Sequence, residues 1–223
     1  MTMKAFIFDL DGVIVSTDRY HYLAWKKIAD KEGIYFDEKI NDRLRGVSRM
    51  ASLEIILERA GKKYSEEEKI ALATEKNDLY RDLLKNLTPS DRLEGVTETL
   101  GFLRGKGYLL AIGSSSKNTP AILEKIGYGN YFDAVSDGNN ISRGKPDPEV
   151  FLKAAEMLKV EPRDCYVVED AEAGIDAAKA GGFTAIGIGG AANYSKTDYS
   201  LNKFSDIEKT VCQTGIVRPQ SGR

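Results

Sequence analysis

Short apolar runs alternate along the chain with stretches whose apolar residues recur at helical spacing. Five runs read as strands: residues 4–8 (KAFIF), 108–112 (YLLAI), 132–136, 165–168 and 184–188. Helix signals separate the later ones. Thr119 followed by Pro120 predicts an N-cap and first turn, with Gly127 closing that helix. Asp147 and Pro148 repeat the start signal ahead of a stripe of Val150, Ala154, Ala155 and Leu158. Asp170 is expected to cap a further helix over 171–180, with Gly181 and Gly182 as its stop. Alternation of this kind predicts an α/β fold, a doubly wound parallel sheet with helices on both faces.

One interval breaks the rhythm. From about residue 17 to 93 the pattern is helical throughout. Asp18 is expected to cap a helix ending near Gly33. Ser48 caps another, whose Leu53, Ile56, Leu57 and Ala60 form one stripe before Gly61. Ser65 with Glu68 is a capping box, and the helix behind it carries Ala73, Tyr80, Leu83, Leu84 and Leu87 until Pro89 forbids continuation. The expected organisation is therefore an α/β core from residues 1–16 and 93–223, interrupted by an all-helical insert over 17–92. The tail from Val211 carries no clear pattern.

Composition narrows the function classes. The chain has 223 residues, 42% hydrophobic and 30% charged, the profile of a folded globular protein. Its 32 basic and 34 acidic residues give a net charge of −2, so no basic excess points to nucleic acid. The apolar runs fall far short of the roughly 20 residues that span a bilayer. The start, MTMKAFIF, lacks a signal peptide's apolar core and cleavage site. Two cysteines, Cys165 and Cys212, are too few for a disulfide framework or a multi-cysteine zinc site. A cytoplasmic chain without membrane or nucleic-acid partners is expected.

Chemistry concentrates where strands end. In an open parallel sheet, ligands bind outside the carboxyl ends of the strands. The first strand runs into FDLDGV, placing Asp9 and Asp11 two apart and, if the strand geometry persists, on one side of the chain. The fourth ends in VVED, adding Glu169 and Asp170. Four carboxylates in one crevice repel each other unless a cation sits among them, and oxygen-only ligands suit Mg²⁺. An aspartate screened in this way can attack an electrophile. Any single one of these residues reads more readily as a helix cap; two acidic pairs at two strand ends are hard to explain by capping alone. After the second strand comes GSSSKN (113–118), whose hydroxyls, amides and lysine suit a phosphate, although the run is no P-loop. Lys145 precedes Pro146 on what reads as an exposed loop, where a solvated surface lysine is the simpler expectation.

These clusters, in this order, resemble the haloacid dehalogenase superfamily of phosphoryl-transfer enzymes. Its pattern is DxDG[TV] after strand one, a Ser or Thr after strand two, a later Lys, and an acidic pair after strand four. The resemblance implies that Asp9 is the nucleophile and Asp11 the general acid/base, while Ser114 and Lys145 hold the transferring phosphoryl group. Asp9, the backbone carbonyl of Asp11, Glu169 and Asp170 would surround Mg²⁺. The helical insert is similar to the cap domain of one branch of the superfamily.

Within that branch the stretches DGVIVSTDRYHYLAW, RGVSRMASL, EKNDLY, SSSKN and RGKPDP are similar to those of a sugar phosphomutase. The implied reaction interconverts β-glucose 1-phosphate and glucose 6-phosphate, with β-glucose 1,6-bisphosphate as intermediate and activator; a small-metabolite phosphatase on the same scaffold, or a mutase for a related phosphosugar, is the alternative. A mutase must hold a second, non-reacting phosphate, and Arg49 with Ser116, Lys117 and Asn118 resembles that site. The resemblance further places Gly46 and Val47 near the substrate, with Ser52 and Lys76 as hydroxyl contacts. Trp25 fits either the substrate set or the insert's own core. His21, the single histidine, would hydrogen-bond Asp11 on closure, with Thr17 in the hinge; the plainer reading stacks it near Trp25. Ser16 departs from the pattern, because relatives often carry an acid there. Apart from the phosphosugar, no partner is expected, and the chain is taken to be a monomer.

Overall fold

The computed structural model describes residues 5–44 and 47–213. Six parallel strands form one sheet: β1 (Ala5–Phe8), β2 (Leu109–Gly113), β3 (Ala134–Ser136), β4 (Cys165–Glu169), β5 (Thr184–Ile188) and β6 (Tyr199–Leu201), in the order β3-β2-β1-β4-β5-β6. Strand residues alternate between two cores. Phe6, Phe8, Leu110, Ile112, Tyr166 and Val168 face one; Ala5, Ile7, Ala111, Cys165 and Val167 face the other. Both faces are buried, which is why these strands read as unbroken apolar runs rather than alternating ones.

The helices of the α/β part follow the same division. Along the chain come α1 (Asp18–Lys31), α2 (Glu38–Asp42), α3 (Arg49–Leu57), α4 (Glu66–Leu84), α5 (Val96–Gly105), α6 (Thr119–Lys125), α7 (Glu149–Leu158), α8 (Glu172–Ala180) and α9 (Asp206–Gln213). The stripe on α7, with Ile175, Ala177 and Ala178 of α8, covers the second face. Helices α5, α6 and α9 cover the first through Leu100, Ile122 and Ile207.

The insert has a core of its own. Trp25, Ile28, Ile40, Leu53, Ile56, Leu72 and Ala73, from α1 to α4, bury one another in a third cluster. Helix α4 joins that cluster to the sheet, since its Tyr80 and Leu84 belong to the first core. The segments entering and leaving the insert run side by side, bridged at Val15 and Arg92, with Leu93 N–H donating to the Ile14 carbonyl at 3.0 Å.

Several expectations need correction. The second strand runs over Leu109–Gly113 and the third only over Ala134–Ser136. β6 was not foreseen, being three residues long with an exposed Ser200 at its middle. Ser48 and the Ser65–Glu68 box cap α3 and α4 as expected, but three other caps differ. α6 takes Asn118 as N-cap, and Thr119 is its first residue. α1 follows Thr17, and Asp18 is already helical. α8 follows Ala171, and Asp170 does not cap it. The Glu169 carboxylate accepts the Asp170 and Ala171 amides instead, at 2.9 and 3.0 Å. In the last two cases a side chain available for capping is committed to the cleft.

Candidate active site

The sheet order reverses at β1: β2 and β3 lie to one side, β4 to β6 to the other. A crevice at the carboxyl ends of β1 and β4 is the expected outcome of such a reversal. Phe8 pairs with Val168, and Asp9 N–H donates to the Val168 carbonyl at 3.0 Å, so the residues that follow both strands emerge together. Asp9, Glu169 and Asp170 each offer an oxygen within 4.8 Å of the others.

Two glycines make this approach possible. At Gly12, with φ +80°, a Cβ would lie 2.1 Å from Asp170 Oδ2. At Gly174, on α8, it would lie 1.9 Å from Glu169 Oε1. Any larger residue at either position would push a carboxylate out of the group.

Lys145 is not the surface lysine its loop suggested. Its side chain is only 6% exposed, and Nζ sits 2.5 Å from both Asp9 Oδ1 and Glu169 Oε1. The loop is pinned from below by Glu149, whose carboxylate accepts the amides of Ser142 and Arg143 and the Ser142 hydroxyl. Burial alone would lower the Lys145 pKa, but Asp9 and Glu169 hold it above the ordinary lysine range. One ammonium cannot balance three carboxylates. Burial first, and then the charges of Asp9, Glu169 and Asp11, push Asp170 up to about 8. Burial likewise raises Glu169. A buried set of hard oxygen donors, with acid left unneutralised, fits a divalent cation.

Asp11 lies apart from that group. Its oxygens accept the Thr17 amide and the Thr17 hydroxyl, both at 2.6 Å. Thus the four carboxylates expected in one crevice resolve into three together and one held by Thr17. Only the backbone carbonyl of Asp11 remains for the ion in the arrangement the resemblance implies. Burial pushes Asp11 up to about 6 against these two hydrogen bonds, even with 36% of its side chain open.

Across the cleft the insert presents a different set. His21 packs against Tyr80 rather than Trp25, with ring centroids 4.1 Å apart and the rings tilted by 32°. Its Nε2 is 4.0 Å from Asp11 Oδ2, and its Nδ1 is 2.7 Å from Lys76 Nζ. While Lys76 is protonated its ammonium can only donate, so in that state His21 Nδ1 accepts and the ring proton lies on Nε2, on the side of Asp11. Burial, then Lys76 and Arg49, lower the His21 pKa. Lys76 is 2% exposed, and burial with nearby Arg49 lowers it to about 7. The Tyr80 hydroxyl lies 2.8 Å from Thr17 Oγ1 and extends the chain Asp11–Thr17–Tyr80 into α4.

The other expected residues are placed as follows. Ser114 follows β2, is buried, and its hydroxyl accepts the Ser116 amide at 3.2 Å. The Ser116 hydroxyl in turn accepts the Asn118 amide at 3.2 Å, while the Lys117 side chain is exposed. Arg49 begins α3, half-buried, and donates from Nη2 to Asn77 Oδ1 at 2.7 Å. Ser52 is buried on α3 and Val47 is 41% exposed. Trp25 is buried in the insert's core, with Lys76 Nζ 4.9 Å from its ring. Gly46 lies outside the described residues. Asn77 and Tyr80 both stand in the EKNDLY stretch that carries part of the resemblance, but the sequence marks Tyr80 only as part of an apolar stripe and Asn77 not at all.

The model of haloacid dehalogenase-like hydrolases matches residues 3–182. The chain belongs to that family. It is 45% identical over 207 residues to a β-phosphoglucomutase of Bacillus subtilis, covering 92% of each chain. A phosphorylated carbohydrates phosphatase of Thermotoga maritima is 34% identical over 187 residues, covering 82% of this chain and 84% of that one. A crystal structure of β-phosphoglucomutase from Clostridium difficile superposes with a TM-score of 0.87 at 40% identity, over 96% of both chains. Among the described residues, no helix is long and apolar enough to cross a membrane.

Proposed function

We propose that the chain is a Mg²⁺-dependent β-phosphoglucomutase, interconverting β-glucose 1-phosphate and glucose 6-phosphate through β-glucose 1,6-bisphosphate. The α/β part (1–16 and 93–223) is the catalytic body and the insert (17–92) its cap, and the paired segments at Val15 and Arg92 support that division. Asp9, Glu169, Asp170 and the Asp11 carbonyl hold the metal. When bound, Mg²⁺ supplies neutralisation of the charge on the transferring phosphoryl oxygens.

The Asp9 carboxylate attacks phosphorus of the bisphosphate, and the bond from phosphorus to the sugar oxygen breaks as the aspartyl-phosphate forms. Asp11 gives its proton to that departing oxygen. A hydroxyl of β-glucose 1-phosphate then attacks, Asp11 takes its proton, and Asp9 is freed. The bisphosphate so formed turns over and returns its other phosphate to Asp9, releasing glucose 6-phosphate. An acid/base group near 6 suits both duties close to neutral pH. Lys145 and Ser114 bind the phosphoryl group in transfer. Water is the rival nucleophile, and closure of the cap over the cleft excludes it.

The observation that carries the mutase reading is a second polar group, built from none of the metal-holding carboxylates. Arg49 of the insert and Asn118 of the body converge there on one atom, Asn77 Oδ1. A phosphatase acting on a monophosphate has no second phosphate for it to hold. An anomer comparison tests this. With Mg²⁺ and a trace of the bisphosphate, β-glucose 1-phosphate should yield glucose 6-phosphate and the α anomer should not. The Thermotoga maritima relative favours one other reading, a sugar phosphatase, in which free phosphate would be the main product.

A further inference from the structure

Asn77 meets both halves of the cleft. It sits on α4, half-buried, directly after Lys76. Its Oδ1 accepts from Arg49 Nη2 at 2.7 Å and from Asn118 Nδ2 at 3.2 Å. Arg49 belongs to the helical insert and Asn118 to the loop after β2, so one carbonyl oxygen ties donors that the chain brings from opposite sides. Neither donor is used up. A guanidinium carries five N–H groups and a side-chain amide two, so each keeps others for an anion.

We propose that Asn77 is a positioning residue for the non-reacting phosphate: its carbonyl aims the Arg49 guanidinium and the Asn118 amide at one point and thereby assembles that subsite across the cleft. The inference rests on the mutase reading above. The Ser114–Ser116–Asn118 turn fixes the body side, because each hydroxyl accepts the amide two residues on. Arg49, at the first position of a helix and with a long flexible stem, donates its hydrogen bond to Asn77, while the Asp78 carboxylate acts on it through charge alone and fixes no direction. A neutral acceptor suits this task. It orders cationic and amide donors without adding a negative charge where a phosphate must come.

Two substitutions separate positioning from a plain structural tie. Asn77→Ala removes the acceptor and should raise KM for β-glucose 1-phosphate about tenfold, the loss of one charge-assisted hydrogen bond's worth of alignment. Asn77→Asp keeps both acceptor contacts and pairs with Arg49. A structural tie would tolerate it, whereas beside a phosphate it should raise KM about a hundredfold. In both variants the ratio of hexose-phosphate to acetyl-phosphate turnover should fall, because acetyl phosphate offers no second phosphate. Circular dichroism confirms that each variant is folded, and if the alanine variant is not, the aspartate variant alone decides. The proposal is overturned if Asn77→Asp binds the hexose phosphate as well as wild type, or if both substrates lose equally. A wild-type enzyme that releases only free phosphate would overturn the mutase reading and this inference with it; indifference of Asn77 in an active mutase would overturn the inference alone.

Discussion

The two walls of the cleft are electrostatic opposites. The body wall holds three carboxylates around one lysine, and burial pushes Glu169 and Asp170 towards their protonated forms. The insert wall holds His21, Lys76 and Arg49, and burial pushes all three towards their uncharged forms. Each wall by itself carries charges it cannot balance. On the body one ammonium faces three carboxylates, and on the insert the charge of Arg49 presses on both His21 and Lys76. A divalent ion on one side and a phosphorylated sugar between them would satisfy both, so the residues whose burial costs stability also select what the cleft takes up.

The body wall should be the less tolerant of the two. Asp9→Ala is expected to abolish both turnover and phosphorylation of the protein, read by intact mass after incubation with the bisphosphate. Retained mutase activity would remove the entire scheme. Asp11→Asn should keep metal binding, because the carboxylate lies with Thr17 and outside the group of three. Its rate should fall by about 10²- to 10⁴-fold, the usual contribution of a general acid/base. A wild-type rate would move that role to another group, with His21 at 4.0 Å the first to examine.

The same contrast explains how much of the molecule is legible in its sequence. The sheet and the acidic pairs were legible because each is local: an apolar run, then acids at its end, with the strand order bringing the ends together. Lys145 misled because its loop looks exposed, and only the distant Asp9 and Glu169, 136 and 24 positions away, bury it. Asp170 read as a cap because Asp before a helix usually is one; the missing Cβ of Gly12, far away in sequence, gives its carboxylate another place. On the insert side almost nothing was available without the resemblance. His21 and Lys76 are 55 positions apart, and a lysine on an amphipathic helix normally points to water. Asn77 has no signal in composition or periodicity at all.

On the insert wall, Arg49→Ala should lower the ratio of mutase turnover to hydrolysis of the aspartyl-phosphate, following glucose 6-phosphate and free phosphate in one assay. The expected drop is about tenfold or more, since a charged contact to the proposed second phosphate would be lost. An equal loss of both activities would make Arg49 a general structural element and erase the distinction between the walls.

The smallest effect concerns stability, and its sign is the sharpest check on the contrast. Lys76 titrates near 7 in the folded protein but near 10.5 when unfolded. Below about 7 both states carry the ammonium, and the folded state bears the whole cost of burying it. Between 7 and 10.5 the unfolded chain holds the extra proton, so folding stability rises with pH across that window. Lys76→Met removes the charge and, with it, this slope. Urea unfolding at pH 7 and pH 9.5, without metal or substrate, should therefore show wild type gaining on the variant at the higher pH, by something of the order of a few kcal/mol. Loss of ground at high pH would mean that Lys76 is held charged by a partner. The insert wall would then already have its counter-ion, and the demand for an anion, on which the opposition of the two walls depends, would disappear.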